Sequence, residues 1–221
     1  MGYLFDMHVH TSETSRCGEV CAADVVKRYI DLGYDGICIT DHMNKSTAKK
    51  FPGTKEEFAN GFLKGYRAAR EAAVDKLKII LGMEIRFLEN DNDYLVFGFD
   101  EDFVKEYTLY SFETLEDFRP FALEHKLTVF QAHPFREGMT VIDWELVDGI
   151  EVYNGHGGHD SANDIALAWA KKRNKRMSSG SDFHRETGME PGGIYFDEFP
   201  ENSFDVAKML IENKYKLKIG D

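Results

Sequence analysis

Two histidines near the start of the sequence, His8 and His10 in DMHVHT, have the type and spacing of metal ligands. The segment YLFDMHVH is typical of a β-strand, and residues two apart on a strand project to the same face. Both imidazoles can therefore reach one ion, and neutral imidazole is a common ligand of zinc, manganese and iron. Two surface histidines explain an isolated pair equally well, so the interpretation depends on the other motifs.

Similar side chains recur at the ends of other predicted strands. They are Asp41 and His42 in ITDH, Glu84 in GMEIR, His133 in QAHP, Glu151 in GIEVY, and Asp182 and His184 in GSDFH. Neighbouring side chains on a strand point apart, so we expect His42 to bind a metal and Asp41 to support it or to bind another ion. The Glu84 carboxylate could bridge two cations, with an ion pair to Arg86 as the alternative. Together these residues suffice for two or three divalent ions.

Strands and helices alternate along the sequence, which predicts an α/β fold built around a parallel sheet or barrel. Helices are predicted over residues 22–32, 58–77, 115–125, 161–172 and 204–212. Strands are predicted over residues 3–10, 36–40, 78–88, 93–99, 127–134, 149–153 and 177–181. In α/β barrels, active sites gather at the C-terminal ends of the strands, which is where the metal-capable residues fall. No linker composition divides the sequence, so we expect one domain over residues 1–221.

The composition limits the partners of the protein. Acidic residues outnumber basic ones, 39 to 27, for a formal net charge of -12 with neutral histidines. Such a charge disfavours an extended nucleic-acid footprint but not a small phosphorylated substrate, because bound cations reverse the local sign. No run of about 18 apolar residues or signal peptide is evident, so we expect no membrane partner. Three cysteines do not form a disulfide framework, and the expected compartment is the cytoplasm.

Two weaker signals lie near these motifs. Cys17 and Cys21 resemble half of a zinc site, but there is no second pair; Cys17, which lies close after His10, is the better candidate ligand. His156 and His159 in GHGGHD either recognise substrate or belong to a solvent-exposed turn, and the glycines favour the turn.

The motifs DMHVHT, ITDH, GMEIR, AHP and SGSDFH occur in the order and approximate spacing of the PHP (polymerase and histidinol phosphatase) family. The sequence resembles this family over residues 5–190. The resemblance implies a distorted (β/α)7 barrel in a single domain. It also implies two or three divalent ions, manganese, zinc or iron, at the strand C-termini.

The resemblance also implies a ligand set. Its members are His8, His10, His42, Glu84, His133, Asp182 and His184, of which Glu84, His133 and Asp182 are the catalytic residues. His8, His10, Glu84 and Asp182 would surround one ion. Glu84 would bridge it to a second ion that His133 also binds, and His42 and His184 would hold a third.

Two family positions differ in this sequence. The acid or histidine expected a few residues after His10 is absent, and Cys17 could replace it. The histidine often found on the strand after the bridging glutamate is also absent, and Asp93 could replace it.

The implied reaction is hydrolysis of a small phosphomonoester or nucleotide by a metal-activated water. Metal binding lowers the pKa of this water to about 7. Arg16, Arg136 and Arg185 each follow a motif closely and could bind a phosphate through two hydrogen bonds, Arg136 being the first choice. Surface ion pairs are the alternative for each arginine. Two other functions remain open. They are metal-dependent hydrolysis of a non-phosphate bond and non-catalytic binding of a metal or ligand.

Overall fold

Strands and helices alternate along most of the chain, and the α/β class expected from the sequence is confirmed. The computed structural model describes residues 2–220. Its strands are β1 Tyr3–Val9, β2 Gly36–Ile39, β3 His42–Met43, β4 Lys78–Leu81, β5 Met83–Arg86, β6 Asp93–Phe97, β7 Thr128–Gln131, β8 Gly149–Asn154, β9 Arg176–Gly180, β10 Gly192–Phe196 and β11 Tyr215–Ile219. Its α-helices are α1 Ala22–Asp31, α2 Lys45–Lys50, α3 Lys55–Phe62, α4 Lys64–Ala73, α5 Glu101–Glu106, α6 Leu115–Glu124, α7 Asn163–Arg173 and α8 Ser203–Glu212. Among these described residues, no helix is long and apolar enough to cross a membrane.

The strands form two hydrogen-bonded sheets that are joined at both sides. One sheet has the order β11-β10-β1-β2-β4 and the other β3-β5-β6-β7-β8-β9. The pairing of β2 with β4 continues into β3 and β5, where Glu84 N–H donates to Asp41 O. On the other side, His10 N–H donates to Phe183 O, and Phe183 N–H donates to His8 O. The hydrogen bonding therefore leads from β1 through β2, β4, β3 and β5 to β9, and from the segment after β9 back to β1.

The strand pairing departs from a regular (β/α) alternation at β6. This strand is antiparallel to both β5 and β7. The link of residues 87–92 between β5 and β6 is too short for a parallel crossover, which needs about a dozen residues or more. β10 and β11, which the sequence pattern did not predict, add an antiparallel pair beside β1.

The single helix predicted over residues 58–77 is wrong, because the chain forms α3 and α4 instead. Thr14 from the loop after β1 inserts its hydroxyl at the junction: Thr14 Oγ1 donates to Phe62 O and accepts from Gly65 N–H, both at 3.0 Å. A side chain that enters the hydrogen-bond ladder interrupts a helix. The second helix then ends at Ala73, followed by Val74 in the left-handed conformation.

β6 is buried on both faces. In β6, Tyr94 and Val96 pack in a cluster with residues of α3, α5, α6 and α7. The alternate residues, Leu95 and Phe97, join a second cluster with other strands and α8. Near-continuous apolar strands are expected when both faces are covered. The metal-capable polar residues interrupt this apolar pattern at the ends of the strands.

Candidate metal centre

The structure brings all seven predicted metal ligands into one cluster. They lie on β1 and the residue after it (His8, His10), at the start of β3 (His42), in β5 (Glu84), beyond β7 (His133) and beyond β9 (Asp182, His184). His42 and Glu84 are register partners on adjacent strands. Most of the cluster is inaccessible, since only His42 and His184 keep partial exposure.

Glu84 lies at the middle of the cluster, with its two oxygens facing different histidines. Oε1 is 3.2 Å from His8 Nε2 and 3.1 Å from His133 Nε2. Oε2 is 3.3 Å from His10 Nε2 and 2.8 Å from His42 Nδ1. This arrangement suits the bridging carboxylate that the sequence suggested. The alternative of an ion pair with Arg86 does not occur, because Arg86 Nε donates to Asp93 Oδ1 at 2.8 Å.

Asp182 approaches the cluster from the opposite side. Its Oδ1 lies 3.3 Å from the Nε2 atoms of both His8 and His10, and 3.2 Å from His184 Nδ1. Asp182 has a positive φ of 52°, a conformation that is costly for a non-glycine residue and is often found at functional sites. The chain comes close to β1 here, since a Cβ at Gly180 would lie 2.5 Å from the Cβ of His8.

His133 also has a strained backbone, with a φ of 29°. Its N–H donates to Glu151 Oε2 at 2.9 Å, which helps to hold the turn that directs Nε2 at Glu84. Asp93, the suggested replacement for the absent histidine, has Oδ2 3.9 Å from His133 Nε2. Asp93 therefore lies at the edge of the cluster. Its carboxylate is also paired with Arg86, which partly compensates its negative charge.

Glu151 supports the ligands from behind, a role that the sequence did not reveal. Its Oε1 lies 3.0 Å from His8 Nδ1, and a hydrogen bond donated by Nδ1 directs Nε2 at the cluster as the atom that can bind a cation once its own proton is lost. Asn154 Nδ2 donates to Glu151 Oε2 at 2.8 Å and lies 3.2 Å from Asp182 Oδ2. Glu151 could have been found from the sequence, because it lies in a predicted strand as the other metal-capable residues do. Nothing in the sequence marked Asn154.

Asp41 also acts from behind the cluster. Its Oδ1 accepts from Ser15 Oγ at 2.6 Å and from Thr11 N–H at 2.8 Å. Ser15 Oγ in turn lies 3.2 Å from His10 Nδ1, so Asp41 orients His10 through this hydroxyl. Of the two roles considered for Asp41, the structure favours support over ligation. Sequence reasoning attached that support to His42. The Ser15 hydroxyl links Asp41 to both histidines, because it also accepts from His42 N–H at 3.1 Å.

The donor atoms of the cluster fit divalent cations. Four of them, His8 Nε2, His10 Nε2, His42 Nδ1 and Glu84 Oε2, are buried and have no hydrogen-bond partner among residues 2–220. Buried polar atoms are nearly always partnered, so converging unpaired nitrogens and oxygens indicate a ligand. Four overlapping groups have ligand atoms within 4.8 Å of one another: His8–His10–Asp182, His8–Glu84–His133, His42–Glu84–Asp93 and His10–His42–His184. Imidazole and carboxylate together suit zinc, manganese or iron.

Without cations, the charges of the cluster stabilise one another. Burial opposes a charge on His8, but the carboxylates of Asp182, Glu151 and Glu84 raise its pKa well above the usual range. Burial alone would raise the pKa of Glu84, but the charges of His8 and His42 bring it well below the usual range. Glu84 is therefore ionised, and a proton on His8 competes with a cation for Nε2.

The three arginines predicted to bind substrate are placed differently. Arg136 points inward, where its Nη2 lies 2.7 Å from Asp182 Oδ2 and also donates to Asn154 Oδ1 at 2.9 Å. Arg136 thus positions Asp182. A substrate phosphate would have to accept hydrogen bonds from the other N–H groups of the Arg136 guanidinium. Arg185 is exposed, with Nε 3.8 Å from Glu19 Oε1, and Arg16 is exposed on the loop after β1.

Two further residues border the outer histidines. Cys17 Sγ lies 3.0 Å from His184 Nε2. Burial would raise the pKa of the Cys17 thiol, but hydrogen bonds with His184 and His42 lower it to about 5. The ring of His156 is centred 5.3 Å from that of His184. His156 is half-buried, whereas His159 and the two glycines between them are exposed in a turn.

The geometry and the order of the motifs agree with one known family, since the model of the PHP domain matches residues 6–178. The chain belongs to the PHP domain family. Members of this family are metal-dependent hydrolases and phosphoesterases, and the clustered ligands of this PHP domain fit divalent metal sites.

Several known proteins are similar to this PHP domain. The DNA polymerase III PolC-type of Clostridium perfringens is 26% identical over 110 residues, 49% of this chain and 6% of the polymerase. A two-domain protein from Bacteroides vulgatus that contains a predicted PHP-like metal-dependent phosphoesterase aligns with a TM-score of 0.70 and 19% identity, covering 100% of this chain and 65% of that protein. The lesion-specific endonuclease PfuEndoQ from Pyrococcus furiosus aligns with a TM-score of 0.62 and 15% identity, covering 98% of this chain and 58% of that protein. This chain spans less than two thirds of each, and the structural likenesses show the fold alone.

Proposed function

We propose that this PHP domain is a metal-dependent phosphoesterase that hydrolyses a small phosphomonoester or nucleotide with a metal-activated water. The observation that carries the proposal is the placement of Glu84, whose two oxygens face two different pairs of histidine nitrogens. A carboxylate shared between two sets of ligands is suited to hold neighbouring cations. Sites with two ions roughly 3.5–4 Å apart are typical of phosphoryl transfer.

The residues of the chain have separate tasks in this proposal. Glu84 and Asp182 supply negative charge at the centre, and the histidines supply neutral nitrogen donors whose direction the outer hydrogen bonds set. When bound, the ions would lower the pKa of water and stabilise charge on the phosphate oxygens. Because the cluster is largely buried, its electrostatic interactions are stronger than they would be in bulk water.

The rim supplies groups for the substrate. His156 Nδ1 accepts from Gly158 N–H at 3.0 Å, so Nε2 carries the proton and can donate to a phosphate oxygen or a leaving group. Burial lowers the pKa of His156 to about 4, so the ring is neutral and keeps this donor at neutral pH. Arg16 and Arg185 are exposed on the loop after β1 and the segment after β9, respectively, so they can contribute positive charge for a phosphate. The net charge of -12 favours a small phosphate ester over a long polyanion.

A nucleic-acid substrate is the second candidate, favoured by the similarity to PfuEndoQ and to the PolC-type polymerase. The two candidates differ in the size of substrate that the rim accepts. Equal concentrations of mononucleotides, short oligonucleotides and duplex DNA with an abasic site would separate them. Faster cleavage of the duplex than of every small ester would replace the first candidate with the second.

The main experiment measures phosphate release from a panel of phosphomonoesters and nucleotides after loading with Mn²⁺, Zn²⁺ or Fe²⁺. We expect turnover with at least one ion, and no release despite stoichiometric metal binding would refute the phosphoesterase proposal. That result would favour the two other functions, hydrolysis of a non-phosphate bond or non-catalytic binding. A panel of amide and carboxylic ester substrates distinguishes between them.

A matched pair of histidine variants tests the metal cluster. His10→Ala removes a buried nitrogen that faces both Glu84 and Asp182, so we expect turnover to fall at least 100-fold, about 2.7 kcal/mol of transition-state stabilisation. His125→Ala is the control. His125 follows α6, its ring packs against that of Phe121, and it belongs to none of the ligand groups. Undiminished turnover of the His10 variant would exclude the metal mechanism.

A further inference from the structure

The loop between β1 and α1 holds a cysteine against the outer histidines of the cluster. Ser12 N–H donates to Val20 O at 2.9 Å, which closes the loop, and Glu19 N–H donates to His184 O at 2.8 Å, which fastens it to the segment after β9. Between these two anchors, Cys17 Sγ lies 3.0 Å from His184 Nε2. Backbone hydrogen bonds on both sides of Cys17 therefore hold the loop beside His184.

The groups around this thiol are nitrogen donors. The ring of His42 lies beside this group, with its centroid 6.0 Å from that of His184. His184 turns its Nδ1 to Asp182, 3.2 Å from Oδ1, which leaves Nε2 for the thiol. The ring of His10 lies 4.2 Å from that of His184 and 4.5 Å from that of His42. The His10 side chain is fully buried, and its Nε2 has no hydrogen-bond partner within the described range.

We propose that Cys17 is a thiolate ligand of the ion that His42 and His184 hold, so that one position of the centre carries sulfur. The inference rests on the proposed function only in requiring that the cluster binds ions. It assigns a ligand to the place after DMHVHT where an acid or a histidine was expected.

The proposal divides the centre into two positions of different chemistry. The position between Glu84 and Asp182 is rich in oxygen, whereas the position beside Cys17 has sulfur and nitrogen donors. Thiolate and imidazole favour Zn²⁺, Co²⁺ and Fe²⁺, while Mg²⁺ and Ca²⁺ prefer oxygen. We therefore expect the outer position to select a softer ion than the inner one accepts.

The test uses Co²⁺ as a spectroscopic probe. A cysteine thiolate bound to Co²⁺ adds charge-transfer absorption in the near ultraviolet, which histidine and carboxylate ligands do not produce. Metal-free protein is titrated with Co²⁺ in three forms: wild type, Cys17→Ser and Cys21→Ser. Cys21 is the matched control, because its thiol donates to Asp24 Oδ2 at 3.2 Å and takes no part in the cluster.

We expect the absorption in wild type and Cys21→Ser and its loss in Cys17→Ser, with circular dichroism showing that the variant is folded. Absorption that persists in Cys17→Ser, or that never develops in wild type at saturating Co²⁺, would overturn the proposal. A second measurement needs no variant. Zn²⁺ should protect Cys17 but not Cys21 of the wild type from alkylation, and equal alkylation of Cys17 with and without Zn²⁺ would also overturn it.

These readouts are independent of turnover. Charge-transfer absorption without phosphate release would support the cysteine ligand and contradict the proposed function. Phosphate release without the absorption would support the proposed function and contradict the cysteine ligand.

Discussion

Replacing Glu151 by glutamine should weaken metal binding although the new side chain has the same shape. The carboxylate accepts three hydrogen bonds, from His8 Nδ1 at 3.0 Å, His133 N–H at 2.9 Å and Asn154 Nδ2 at 2.8 Å. Glutamine has only one acceptor oxygen. It cannot accept from the histidine ring on one side and from the two N–H donors on the other.

Both orientations of the amide are unfavourable. If its oxygen faces His8, its NH2 group opposes the donors of His133 and Asn154, and each buried unsatisfied donor costs about 1–3 kcal/mol. If its NH2 group faces His8 instead, Nδ1 must accept, and the proton moves to Nε2. That nitrogen, 3.2 Å from Glu84 Oε1, then cannot bind a cation.

Loss of such an outer partner typically costs 10- to 100-fold in metal affinity. We therefore expect Glu151→Gln to lose about 1.4–2.8 kcal/mol of Zn²⁺ binding free energy, measured by competition with a chelator. Glu145→Gln, which makes the same change at an exposed position, is the control. If Glu151→Gln is folded by circular dichroism and binds Zn²⁺ within roughly twofold of wild type, the reasoning about the His8 tautomer is refuted.

Two further predictions concern pH and stability. Burial opposes a charge on His184, but hydrogen bonds with Asp182 and Cys17 raise its pKa to about 10. The pKa values of His8 and His42 are also raised, and cations must displace these protons as well. Zn²⁺ affinity should therefore rise at least tenfold per pH unit from pH ~7 to ~8. Isothermal titration at both pH values checks this, and a pH-independent affinity would contradict it. Phe130→Ala should lower the free energy of unfolding by about 3–5 kcal/mol, since the ring is fully buried against Gly149. Denaturant unfolding measures the loss, and a value below about 1 kcal/mol would show that the core adapts.

The sequence was sufficient to predict the α/β class and the ligand types, because both depend on local patterns. A strand repeats its side chains every two residues, so the pair His8/His10 could be assigned to one face from spacing alone. The same spacing could not place Asp182 and His184, which lie beyond β9 with Asp182 in the left-handed conformation. The ends of apolar runs also marked where Glu84 and His133 would lie.

Errors in the predicted elements came from contacts that no local pattern encodes. The helix predicted over residues 58–77 is interrupted by Thr14, which is distant in sequence. The antiparallel direction of β6 follows from a short link, and the pairing of β10 with β1 joins opposite ends of the chain. The single-domain boundary and the cytoplasmic location stay predictions.

What the sequence alone determined, then, is that side chains of metal-binding type lie at the ends of the strands. Only the tertiary structure decided their directions. Glu151 orients His8 across a separation of 143 positions, and Cys17 meets His184 across 167. Hydrogen-bond geometry is set to within tenths of an ångström, and over such separations it follows from the packing of the whole fold rather than from any motif.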